Sequence, residues 1–153
     1  MKPRLYLETT IPSYLVALRS QDLRLAADQE TTQQWWESER QGFFLFISAT
    51  VLKEVRRGDP NYAAARVARL AGVPLLGDLP EANELAKRLL RDDIIPGVAA
   101  DDATHVALAA AHQMDFLLTW NCKHINTTTS VRASRGRVRR WGWRVLTFAL
   151  PLN

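Results

Sequence analysis

Glu8, Glu54, Asp101 and Asp102 are the side chains best placed to do chemistry, together with the polar run Thr119-Trp120-Asn121. Glu8 directly follows a short apolar stretch. Glu54 lies in a helix-like segment after a second apolar stretch, the two aspartates open another helix-like segment, and Thr119 to Asn121 leave a third apolar stretch. Carboxylates that converge repel one another unless they are protonated or bridged by a cation. A hard divalent ion, Mg²⁺ or Mn²⁺, favours oxygen ligands, keeps several waters and needs only two or three carboxylates from the protein. An ion held there could act as a Lewis acid and lower the pKa of a bound water.

Other chemistries are poorly supported. The seven glycines do not cluster into a phosphate loop or a dinucleotide fingerprint, and no His-Glu-x-x-His pattern occurs. His105 and His112 share a helix face and read as core or supporting histidines. Cys122 and His124 are too close in sequence to align as a nucleophile and its base, and no third group is evident to orient them. The single cysteine also excludes an internal disulfide framework and suits a reducing compartment.

The elements that must position the acids alternate along the chain. Strand expectations are Arg4 to Leu7, Phe43 to Ile47 (a run apolar enough to be buried on both faces), Val73 to Leu76, Phe116 to Leu118 and Arg144 to Phe148. Helices are expected from Ile11-Pro12, over 28 to 41, from Ala49 to Arg57 with Ser48 as cap, and from Tyr62 to Leu70. Two more are expected from Pro80 to Arg91 and from about Asp102 to His112. Breaks fall at Gly42, Gly58-Asp59-Pro60, Gly72 and Pro96-Gly97. This alternation predicts right-handed crossovers and an α/β fold, a three-layer α/β/α sandwich around a mostly parallel sheet. Such sheets bind ligands beyond the carboxyl ends of their strands, where all the acids would meet.

With 153 residues, 47% hydrophobic and 24% charged, the chain suits one globular domain over 1–153 and is too apolar for a disordered one. No apolar run approaches a membrane span and the first residues lack a signal-peptide core, so a cytoplasmic protein is expected. The net charge of +4 conceals an asymmetry: residues 1 to 115 carry 13 basic and all 16 acidic residues, whereas 116 to 153 carry seven basic residues and no acid. Arg132, Arg135, Arg137, Arg139, Arg140 and Arg144, with Trp141 and Trp143 among them, supply the charge and stacking surface of an RNA contact. A solvated arginine-rich end is the plainer alternative.

Four segments, in order, carry a resemblance. They are Leu5-Tyr6-Leu7-Glu8-Thr9-Thr10, Ser48-Ala49-Thr50-Val51-Leu52-Lys53-Glu54-Val55, Asp102-Ala103-Thr104-His105-Val106-Ala107-Leu108-Ala109 and Leu117-Leu118-Thr119-Trp120-Asn121. Together they resemble the PIN-domain nucleases, and in size and arrangement the VapC-type toxins of toxin–antitoxin pairs. The resemblance implies a PIN-like fold, a Mg²⁺- or Mn²⁺-dependent ribonuclease, an RNA substrate, a cognate antitoxin and a homodimer. It assigns Glu8, Glu54 and Asp102 as catalytic metal ligands, with Asp101, Asn121, Thr9 and Thr119 in support; Arg135, Arg137, Arg139 and Arg140 are expected as RNA contacts from the charge of the tail alone. Two positions depart from the family pattern: Glu8 stands where Asp is usual, and the neutral Asn121 where a fourth acid often stands. The end of the chain, from about residue 126, is atypical as well.

Each residue also has a purely structural reading. Asp101 would cap its helix, Asp102 would interact with the helix dipole, and Glu54 would pair with Arg57 on a helix surface. The rival function is a catalytically weak or inactive PIN-like module that binds RNA or a protein.

Overall fold

The first strand, β1 (Arg4–Leu7), buries Leu5, Tyr6 and Leu7 almost completely, which requires a neighbour on each side and cover on both faces. In the computed structural model, which describes residues 2–91 and 100–121 and the backbone of 131–133 and 145–148, both neighbours are parallel. β2 (Phe44–Phe46) pairs Leu5 with Leu45, and β3 (Phe116–Leu118) pairs Tyr6 with Leu117. β5 (Val145–Phe148) then joins β3 antiparallel, and β4 (Val131–Ala133) joins β5, giving the order β2-β1-β3-β5-β4. The parallel part expected from the alternation is thus β2-β1-β3, extended by an antiparallel pair. β4 has no counterpart among the expected strands.

The helices start where local chemistry lets them. α1 (Thr10–Val16) carries Pro12 in its first turn, where no amide hydrogen is needed. α2 (Leu23–Ser38) begins five residues before the expected 28 because Asp22 accepts from the amides of Arg24 and Leu25 at 2.9 and 3.0 Å. α3 (Ala49–Val55) is capped by Ser48, whose hydroxyl accepts from the Val51 amide. It is followed by Gly58 at φ +84°, and α4 (Pro60–Arg69) restarts behind an Asp59 cap. α5 (Pro80–Arg91) and α6 (Ala100–Ala111) pack on each other, while α1 packs against α2 and α4, so helices cover the sheet as an α/β/α sandwich.

Two expectations change. The run Phe43 to Ile47 is not buried on both faces. β2 is an edge strand, and Phe44 is 49% exposed, its ring capped by the Lys2 ammonium at 5.7 Å. Val73 to Leu76 does not form a strand, only a single parallel bridge between Leu75 and Ile47. Among the described residues no helix is long and apolar enough to cross a membrane. The break at Pro96-Gly97 lies outside the described residues.

Candidate active site

The strand order places the site. From β1 the chain crosses first to β2 on one side and later to β3 on the other, so the carboxyl ends of β1 and β3 flank the point where the direction of winding changes. Glu8 is the residue after β1, and Thr119 to Asn121 follow β3. α3, entered directly from β2, carries Glu54, and the first turn of α6 carries Asp102.

Glu8 is buried, at 5% exposure. Its Oε2 accepts from the Thr10 amide at 2.9 Å, from the Thr10 hydroxyl, and from the Thr119 hydroxyl at 2.8 Å. Glu54 Oε1 accepts from the Thr9 hydroxyl at 2.9 Å and from His105 Nε2 at 2.5 Å. Asp102 Oδ1 accepts from Asn121 Nδ2 at 3.0 Å, and the Asn121 amide donates to Thr119 Oγ1 at 2.9 Å. One hydrogen-bonded web therefore ties all three acids together: Thr9 and Thr10 are chain neighbours holding Glu54 and Glu8, while Thr119 and Asn121 connect Glu8 to Asp102.

Within that web each acid uses one oxygen. All the bonds to Glu8, Glu54 and Asp102 fall on Oε2, Oε1 and Oδ1 respectively, so Glu8 Oε1, Glu54 Oε2 and Asp102 Oδ2 receive no donor from the described residues. Among those residues, no lysine or arginine forms an ion pair with any of the three. Of the three acids only Glu8 is buried, so its donor-free oxygen is the one that most needs a cation or water, while those of the partly exposed Glu54 and Asp102 are open to either. The donor set, all oxygen, suits Mg²⁺ or Mn²⁺ rather than a thiolate- or imidazole-preferring ion. Among the described residues, however, no three His, Cys, Asp or Glu side chains stand as a group that could by itself hold a metal ion.

Burial raises the pKa of the Glu54 carboxyl, but the hydrogen bond and charge of His105, then Thr9 and Arg57, outweigh it and hold the group below the usual carboxylate range. Glu54 is accordingly not the surface partner of Arg57. That guanidinium lies 3.6 Å from Asp101 instead, with both side chains about half exposed. Asp101 does not cap α6, because the helix begins one residue before it and both aspartates fall within the first turn. It also stays outside the web. Cys122, His124 and Arg135, Arg137, Arg139 and Arg140 lie outside the described residues.

Three participants in the web were not among the expected site residues. Thr10 contributes two of the bonds to Glu8. Tyr6, fully buried, joins its hydroxyl to Ser48 Oγ at 2.7 Å and to His105 Nδ1 at 2.6 Å, and burial drives its phenol pKa far above the ordinary value. His105, 1% exposed, links Tyr6 to Glu54. The available signal was its position three residues after Asp102, on the same helix face. His112 is unrelated, bonded to the Gly77 carbonyl at 2.7 Å on the surface.

No protein-family model matches the chain, and no curated protein does. A solved structure does. VapC20 of Mycobacterium tuberculosis, described as a sarcin–ricin loop cleaving toxin, superposes with a TM-score of 0.60 at 20% identity, over 80% of this chain and 93% of that one. The chain has the fold of that toxin. The PIN-like α/β/α architecture anticipated from four short motifs is therefore present, and the acid web sits at the carboxyl ends of its parallel strands.

Proposed function

We propose that this chain is a metal-dependent endoribonuclease, the toxin of a type II toxin–antitoxin pair, acting in the cytoplasm on RNA phosphodiesters. The observation that carries the reading is the web: three acids from β1, α3 and α6, each with one oxygen fixed by protein donors and one left over, on a fold shared with an RNA-cleaving toxin. Glu8, Glu54 and Asp102 would hold the ion through those remaining oxygens. A bound Mg²⁺ or Mn²⁺ supplies a water of lowered pKa and offsets charge on the phosphate.

The chain's own residues do the positioning. Thr10 and Thr119 hold the longer Glu8 side chain against the strand end, limiting the freedom that its extra methylene adds. Asn121 directs its side-chain NH₂ to Asp102 and leaves its own oxygen available, so a neutral residue there still supports the site. The basic tail, with Arg135, Arg137, Arg139 and Arg140, binds the RNA backbone, and an unpaired loop whose bases can splay out is the natural target. A cognate antitoxin covers the acid groove, and the toxin is a homodimer.

The test is cleavage of single-stranded and loop RNAs, a sarcin–ricin loop oligonucleotide first among them, by purified protein. Cleavage should require Mg²⁺ or Mn²⁺, stop with EDTA and be lost in Asp102→Asn, which keeps side-chain shape but removes one charge from the ion site. Absence of cleavage on varied RNAs, with no Mn²⁺ binding by calorimetry, would leave a non-catalytic binding module as the better account.

A further inference from the structure

A buried polar chain runs behind Glu54. It starts on α3 and returns to α3. The Val51 amide donates to Ser48 Oγ at 3.3 Å, and Ser48 Oγ meets the Tyr6 hydroxyl at 2.7 Å. Tyr6 meets His105 Nδ1 at 2.6 Å, and His105 Nε2 meets Glu54 Oε1 at 2.5 Å. Ser48, Tyr6 and His105 are each at most 1% exposed. The two ends fix its sense, because a backbone N–H can only donate and an ionised carboxylate can only accept. With one proton on His105, Ser48 donates to Tyr6, Tyr6 to Nδ1, and Nε2–H to Glu54, which uses every donor in the chain. The last bond has the same direction if His105 carries two protons.

We propose that His105 and Tyr6 are positioning residues for metal binding: anchored by Tyr6, the imidazole occupies Glu54 Oε1 and so presents Oε2 to the ion. This rests on the nuclease reading above and extends it to groups that touch neither ion nor RNA. The geometry favours a role beyond packing. A lone core histidine needs only one polar partner for each nitrogen, whereas here both partners are themselves held, one being a phenol in β1 that also bonds Ser48 and the other a site carboxylate already oriented by Thr9. Outer partners of metal ligands orient them and raise their basicity, and their loss characteristically costs about 10- to 100-fold in metal affinity or activity.

The experiment is Mn²⁺ titration by calorimetry with RNA cleavage alongside, on wild type, His105→Leu, His105→Gln and Tyr6→Phe, with far-UV circular dichroism on each. His105→Leu should bind Mn²⁺ at least about tenfold more weakly while remaining folded. His105→Gln, whose amide can still donate to Oε1, should recover part of that loss. Tyr6→Phe, which keeps the imidazole but removes the hydroxyl that anchors it, should bind Mn²⁺ more weakly than wild type, and that comparison decides the matter if the leucine variant does not fold. Folded variants that bind Mn²⁺ as tightly as wild type would overturn the positioning role and leave the nuclease reading standing. Wild-type protein that binds no Mn²⁺ would overturn both.

Discussion

Thr119→Val tests the web at the point where strand β3 hands over to the site. Valine keeps the β-branched shape and fits a strand end, so no cavity opens, and the change is confined to one buried hydroxyl. That hydroxyl donates to Glu8 Oε2 at 2.8 Å and accepts from the Asn121 amide at 2.9 Å. A hydrogen bond to a charged group contributes about 1.5–3 kcal/mol and one between neutral groups about 0.5–1.5 kcal/mol. Glu8 keeps its two bonds from Thr10, and the combined loss is about 2–4.5 kcal/mol. For a chain of this length that lowers Tm by about 5–15 °C.

Urea unfolding in EDTA measures this without contribution from a bound ion, and a double-mutant cycle with Glu8→Leu, which removes the acceptor, isolates the pair. The coupling should be about 1 kcal/mol or more, because the bond joins groups in one buried network. A Thr119→Val loss under about 0.5 kcal/mol, or additive single and double variants, would refute the claim that β3 and β1 are tied through this bond. Mn²⁺ affinity should fall as well, since Asn121, and through it Asp102, loses its anchor.

Three further outcomes are expected. The depressed Glu54 carboxyl contributes stability that is present above the unfolded value of about 4.3 and is lost as pH falls through the lower folded value, so Glu54→Gln should flatten the acid limb of a urea-midpoint profile. The raised Tyr6 phenol acts at the other end: its contribution is present below the unfolded value of about 10 and is lost as pH rises above it, so Tyr6→Phe should flatten the alkaline limb. Replacing Arg135, Arg137, Arg139 and Arg140 with alanine should weaken RNA binding in fluorescence anisotropy and reduce its salt slope by about 0.7 for each phosphate that is no longer neutralised, with Mn²⁺ affinity unchanged.

What could be read from the sequence followed the range over which each signal acts. Caps and breakers are local, so Ser48, Gly58-Asp59-Pro60 and the span Pro80 to Arg91 were legible, and the strand ends next to them placed Glu8 and Glu54. An apolar run reports burial without reporting position in a sheet. Phe43 to Ile47 reads as an inner strand, yet β2 lies at the edge, where the Lys2 ammonium and the Arg4 guanidinium cover the rings of Phe44 and Phe46. β4 was illegible because Val131-Arg132-Ala133 is too short to show any period, and its pairing with β5 is a long-range fact.

The site divides in the same way. A carboxylate after an apolar strand is conspicuous, since charge at a strand end has few structural excuses. Of the supporting donors, Thr9, Thr119 and Asn121 were legible from the motifs, but the others do not stand out, because threonine, tyrosine and histidine are ordinary residues in strands and helix cores. Thr10, Tyr6 and His105 acquire meaning only when β1, α3 and α6 meet, across separations of 42 and 99 residues for the two bonds of the Tyr6 hydroxyl. Burial then changes what those residues can do: a phenol and an imidazole excluded from water must find partners in each other, and the acid at the end of their chain is held in one orientation. The same exclusion bears on Glu8, the one buried acid of the three, whose Oε1 has no donor among the described residues. A site that orders one oxygen of each acid, and gives the other no donor among the described residues, is one that the proposed cation would complete.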